Sequence, residues 1–303
     1  MAEFLRGRRY KGFDMTSDCT LSNDHLSLSV AELGAEMQYL RTHAGVDLLW
    51  HGDPAFWSGR APVLFPIVGR AVDDRIAVGA HRADMAQHGF ARRRTFTLEE
   101  HSPTQCRHVL CAAPETRALY PFDFALHLTH ALADATLTVT ARVENHSDTA
   151  MPFGFGFHPA FNWPLPGAET QRHVVQLETA NNPARQPLHP DGLLEPTRVE
   201  GPFTNGVLEI EEGLFKDGAL VFPNGTEALR YGPENGPGLA FTFHNLPDLA
   251  LWKPVDAPFL CVEPWHGTAS LVGDGPQISQ RPNSLSLPAG EAVEFGFSVT
   301  VET

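Results

Sequence analysis

The feature that most restricts what this chain can fold into is a beat of two. In ATLTVTARVEN, Leu137, Val139, Ala141 and Val143 alternate with Thr136, Thr138, Thr140, Arg142 and Glu144. EAVEFGFSVTVE spaces Val293, Phe295, Phe297, Val299 and Val301 in the same way, and HLSLSVAEL, DFALHLTHAL and NSLSLPAG repeat the rhythm. Successive side chains of an extended chain point to opposite faces, so this is the pattern of half-buried antiparallel strands. Helices have little room, because 25 prolines and 26 glycines spread through 303 residues interrupt nearly every candidate. No low-complexity linker divides the chain and no repeat is visible. The expectation is a single large all-β domain, a sandwich or barrel.

Charge narrows the partners. A net charge of -14 leaves little to neutralise phosphates, which argues against nucleic acid and against an anionic membrane surface. It suits a small neutral ligand. Cys19, Cys106, Cys111 and Cys261 form no CxxC pair and are too few for a disulfide framework. With no secretory apolar segment, and no run near the ~18 residues of a membrane span, the cytoplasm is the expected location. The basic opening MAEFLRGRRYKGFD reads as part of a flexible arm over 1–18, with the folded domain over 19–303.

Two apolar runs break the alternation. APVLFPIVGR (61–70) ends at Gly69-Arg70 with Asp73, Asp74 and Arg75 just beyond, and APFLCVEPW (257–265) ends in Glu263-Pro264-Trp265. A carboxylate closing a buried strand is costly unless it is paired, hydrogen-bonded or used. Partial burial would raise its pKa, which suits a general base. The plainer reading of Glu263 is a salt-bridged strand end. Trp252 and Trp265 beside it could stack on a sugar ring or simply fill the core.

The segment MPFGFGFHPAFNWPL (151–165) sets an imidazole among aromatics. If extended, it sends Phe153, Phe155 and Phe157 to one face and Gly154, Gly156 and His158 to the other. That second face would be a trough in which a ligand could approach the backbone. Pro159 biases His158 toward an extended backbone. The plainer reading here is a histidine hydrogen-bonded at a sheet edge. QHGFARRR (87–94) adds His88 before a glycine turn and the cations Arg92, Arg93 and Arg94, of which at least one reads as solvated surface.

Several chemistries lack their signatures. HExxH, paired CxxC, GxSxG, the P-loop and the dinucleotide fingerprint are all missing, so neither a metal nor an organic cofactor is expected. His127 and His130 lie three apart on an expected strand, hence on opposite faces. A histidine and a glutamate on strands, with aromatics and arginines around them, are the equipment for proton transfer.

In order, LGAEMQYL (33–40), LLWHGDPAFW (48–57), APVLFPIVGR, QHGFAR, FGFHPAFNWP (155–164) and APFLCVEPWHG (257–267) resemble the aldose 1-epimerase (mutarotase) family, in its branch of LacX-like bacterial members. The likeness runs from about residue 20 to the C-terminus. It implies a large twisted antiparallel β-sandwich with the sugar in an open cleft. It also implies His158 as general acid and Glu263 as general base, with His88, Arg75 and neighbouring Asp74, Asp217 and Trp265 toward the sugar. The implied reaction is cofactor-independent mutarotation of an aldose by ring opening and closing, in a monomer or homodimer. A hexose 6-phosphate held by Arg92, Arg93 and Arg94 is the alternative substrate. A sugar-binding protein without turnover is the alternative class. A glycan-cleaving enzyme ranks lowest, given only Tyr10, Tyr39, Tyr120 and Tyr231 and one well-placed carboxylate.

Overall fold

The computed structural model describes residues 18–303, so all of the expected basic arm except Asp18 lies outside the described residues. Within them, alternation becomes burial directly. In the strand Thr136–Asn145, Leu137, Val139, Ala141 and Val143 are buried, while Thr138 and Arg142 face solvent. Phe124–Ala133 and Ala292–Val301 flank it in antiparallel register along nearly their whole length.

These three strands sit inside a nine-stranded sheet. On one side it continues through Gln105–Cys111 to Thr97–His101. On the other it continues through Leu239–His244, Ala228–Pro233 and His173–Leu177 to Val207–Glu209. A six-stranded sheet packs against it, in the order Leu220–Phe222, Asp248–Trp252, Phe259–His266, Phe155–Phe157, Val63–Leu64, with Ala160–Asn162 also paired to Phe259–His266. The inner faces meet in one core, where aromatic rings interlock across the interface. Phe155 stacks on Phe295 at 4.8 Å, Phe157 meets Phe297 at 5.0 Å and Phe161 meets Phe241 at 5.1 Å. Such contacts stabilise beyond area burial by roughly 0.5–1.5 kcal/mol each.

The result is an all-β, twisted antiparallel sandwich. Pro114–Leu119 is the one α-helix among the described residues. No helix among them is long and apolar enough to cross a membrane.

The runs that broke the alternation have a physical reason for doing so. Phe259–His266 is buried on both faces: Leu260 and Val262 join the main core, while Cys261, Glu263 and Trp265 point to the other side. A strand covered twice has no need of polar residues at every second position. APVLFPIVGR behaves differently. Only Val63–Leu64 pairs as a strand, and the chain then turns while Phe65 and Ile67 still fill the core.

Candidate active site

The outer face of the six-stranded sheet carries the site. Phe155–Phe157 and Ala160–Asn162 both pair with Phe259–His266, and His158-Pro159 occupies the gap between them. His158 donates its backbone N–H to Pro62 O, and Val262 donates to Pro159 O. That break holds the imidazole over the middle of the strand, opposite Glu263. His158 Nε2 lies 3.1 Å from Glu263 Oε2, and the two residues are 7% and 1% exposed.

Burial governs the charge of this pair. It pushes the His158 imidazole down to about 3 and holds the Glu263 carboxyl well above the usual carboxylate range. The rise of Glu263 is the direction expected for a buried strand-end carboxylate; with His158 lowered as well, desolvation reverses the usual order of the two groups. His158 Nδ1 and Glu263 Oε2 have no hydrogen-bond partner, so both groups keep bonding capacity for a ligand.

Around the pair lies a cavity of about 390 Å³, within the roughly 300–1,000 Å³ of small-molecule sites. Trp57 stacks on the His158 ring at 4.9 Å, and Trp252 meets it edge-on at 5.8 Å. His88 stands across the cavity, 5.5 Å from His158 between ring centroids. Its position is set by a reciprocal lock: His88 N–H donates to Gly69 O at 3.0 Å, and Gly69 N–H donates to His88 Nδ1 at 3.1 Å. The second bond makes Nε2 the protonated nitrogen, and Nε2 lies 3.2 Å from the Gln87 side-chain amide. Burial first, then the charges of His158 and Arg92, keep His88 neutral. The turn behind it requires glycine, because a Cβ on Gly89 would sit 2.1 Å from Phe65 O.

Of the sequence-derived candidates, His158, Glu263, His88 and Trp265 converge on this cavity. Arg75 does not reach it: the guanidinium is 69% exposed and faces Asp84 at 3.4 Å. Strand Arg75–Val78 lies in a separate hairpin with His81–Asp84, which carries it away from the site. Asp74 is also outside, holding Arg70 with two bonds of 2.7 Å. Asp217 is exposed and lines a different surface depression, although its neighbours Gly218 and Ala219 border the cavity. Of the three arginines, Arg92 alone lines the cavity, with its Nε buried and without a partner.

The glycine trough also differs from expectation. A Cβ on Gly156 would lie 2.5 Å from Trp265 Cδ1, so the missing side chain admits that indole, and the indole in turn walls the cavity. Trp57, Gln87 and the segment around Leu188, Gly192 and Leu194 were not singled out from sequence. Trp57 lay within the quoted LLWHGDPAFW, whereas the loop residues carried no signal. Cys261 brings its thiol within 4.8 Å of the His158 and Glu263 ligand atoms, so these three could also hold a cation.

A model of the family described as aldose 1-epimerase matches residues 17–296. A chromosomal LacX protein of Lactococcus lactis subsp. lactis is 27% identical, covering 93% of this chain and 98% of its own length. The crystal structure of a galactose mutarotase related enzyme from Lactobacillus acidophilus superposes with a TM-score of 0.89 at 28% identity, covering 95% of this chain and 98% of that one. A galactose mutarotase-like protein from Lactobacillus casei gives 0.87 at 27% identity, over 94% of this chain and 100% of that one.

Proposed function

This chain belongs to the aldose 1-epimerase family, and on that premise we propose that it interconverts the α and β anomers of an aldose by acid-base opening and closing of the ring. The observation that carries the proposal is the His158–Glu263 pair, buried at 3.1 Å on the floor of a cavity walled by Trp57, Trp252 and Trp265. Indole faces suit the apolar faces of a pyranose, and His88 Nε2 and the Gln87 amide offer hydrogen bonds to its hydroxyls.

The Glu263 carboxylate takes the proton from the anomeric hydroxyl while the His158 imidazolium gives one to the ring oxygen. The C1–O5 bond breaks and an aldehyde forms, leaving neutral glutamic acid and neutral imidazole. Rotation about C1–C2 presents the other face of the carbonyl. Glu263 then returns a proton to the carbonyl oxygen as His158 removes one from the O5 hydroxyl, and C1–O5 reforms. Each positioned group contributes on the order of 10²–10⁴-fold.

Burial favours the neutral form of each partner, which is the state reached on ring opening. The ion pair needed by the cyclic sugar holds the same single proton. It is therefore reached with no net uptake or release of a proton. Fixing the sugar against both groups converts the reaction to an effectively unimolecular one.

Polarimetry on freshly dissolved α-D-glucose and α-D-galactose tests the reading, with equilibration faster than the buffer blank and unchanged by EDTA as the expected result. No acceleration with either sugar, or activity lost on chelation, counts against it. One observation favours a phosphorylated aldose as second reading: the partnerless Nε of Arg92 in the cavity wall. Acceleration confined to hexose 6-phosphates and abolished in Arg92→Leu would select that substrate. Tight sugar binding with no acceleration of either kind would select a binding protein.

A further inference from the structure

The described residues contain seven buried side-chain nitrogen or oxygen atoms without a hydrogen-bond partner. Four belong to Arg92, His158, Glu263 and Trp265, which line the cavity described above. The remaining three are Nδ1 and Nε2 of His108 and Nδ1 of His130, and they lie together elsewhere. An orphaned polar atom in a protein interior costs about 1–3 kcal/mol and calls for an explanation.

Cross-strand register assembles this second cluster. Cys106 on Gln105–Cys111 is the direct partner of His130 on Phe124–Ala133, and His108 follows two residues later on the same face. Ligand atoms of Cys106, His108 and His130 all lie within 4.8 Å of one another. Cys19 comes from a separate three-stranded sheet whose first strand packs against Gln105–Cys111 and Phe124–Ala133, which sets its thiol beside that of Cys106. All four side chains are buried, His108 at 0% and His130 at 2% exposure.

We propose that Cys19, Cys106, His108 and His130 form a closed structural site for a borderline-soft divalent cation, zinc above all. Two thiolates and two neutral imidazoles are a tetrahedral donor set with a strong preference for that ion. On binding, the Cys19 and Cys106 thiols each lose a proton to solvent, two in all, and the metal takes their place. The assembled site is electrically neutral, which lets it sit in an apolar core. A single water accounts for less. The internal void beside His130 measures about 10 Å³, the lower limit for one water, and would leave both nitrogens of His108 unexplained. Because the four ligands come from two sheets, the metal would fasten Cys19–Ser22 to the nine-stranded sheet. Its role is architectural, separate from sugar chemistry.

The test uses the full chain without an affinity tag, titrated anaerobically with zinc alone and then with cobalt(II) alone. The expected result is about one metal per chain, a thiolate-to-cobalt charge-transfer band with tetrahedral d–d absorption, and a rise in Tm. Cys106→Ser and His108→Leu should each lose the band, while Cys111→Ser, on the exposed end of the same strand, should keep it. Should those variants not fold, Cys19→Ser removes only the ligand from the neighbouring sheet, and the wild-type stoichiometry decides independently. Failure to bind either metal, a Cys19–Cys106 disulfide in the freshly isolated chain, or a metal lost in Glu263→Gln instead would overturn the assignment.

Discussion

His158 Nε2 stands 3.1 Å from Glu263 Oε2, inside a cavity that keeps both residues almost free of water. That relationship fixes how the pair titrates. Burial moves His158 down to about 3 and Glu263 upward, so the pair holds one proton throughout the interval between them. Activity should rise with pH through about 3, where the pair sheds its second proton. It should then stay level until it falls above the raised value of Glu263. Initial mutarotation rates across pH check this; a limb near the ordinary histidine value of about 6.5 would contradict it.

Removing either member of the pair separates chemistry from binding. Glu263→Gln and His158→Asn keep the approximate shapes, and each should lower kcat by about 10²–10⁴-fold. Circular dichroism should be unchanged, and sugar affinity should alter far less than kcat. Retained turnover in Glu263→Gln would remove the carboxylate from the mechanism.

Trp57 covers the imidazole by stacking at 4.9 Å. Trp57→Ala should admit water to His158 and relieve the desolvation that lowers its pKa. Hydration favours the charged form, so the acid limb should move up from about 3 toward about 6.5. At pH 5 the variant should therefore lose more activity than at pH 8. A uniform loss at all pH values would assign Trp57 to binding alone.

Arg281 lies behind the cavity, buried, and donates to Val68 O, Arg70 O, Thr268 O and Ser270 Oγ. It therefore ties the segment around Gly69, which orients His88, to the segment around Ala269. Hydrogen bonds to a charged group contribute about 1.5–3 kcal/mol each. Arg281→Met should cost at least about 3 kcal/mol in urea denaturation. Arg281→Lys should recover part of the stability with KM still raised, since one ammonium cannot replace the guanidinium fork.

Much of the fold was legible because burial on one face of a strand writes itself into every second residue. Leu137 to Val143 and Phe295 to Val299 are read correctly with no knowledge of what covers them. His158 and Glu263 were legible for a related reason: a titratable group set among apolar residues and followed by proline is conspicuous in one dimension. Arg75 and Asp74, which the resemblance set toward the sugar, lie outside the cavity, because a charge beside an apolar run does not reveal its direction. The hairpin Arg75–Val78 with His81–Asp84 turns Arg75 toward Asp84, and Arg70 captures Asp74. Gly156 was read as space for a ligand, whereas Trp265, 109 positions later in the chain, fills it.

The sequence by itself determined the strand class, the aromatic core faces and the two residues that face each other across the site. The first two follow from the alternation of apolar side chains, whereas the pairing of His158 with Glu263 came from the family resemblance. Tertiary structure alone decided the cavity wall around Leu188 to Leu194, the lock between His88 and Gly69, and the inverted pKa values of His158 and Glu263. It also decided the meeting of Cys106, His108 and His130, with Cys19 beside Cys106. Desolvation and cross-strand register depend on which segments pack together, and no spacing along one chain encodes that.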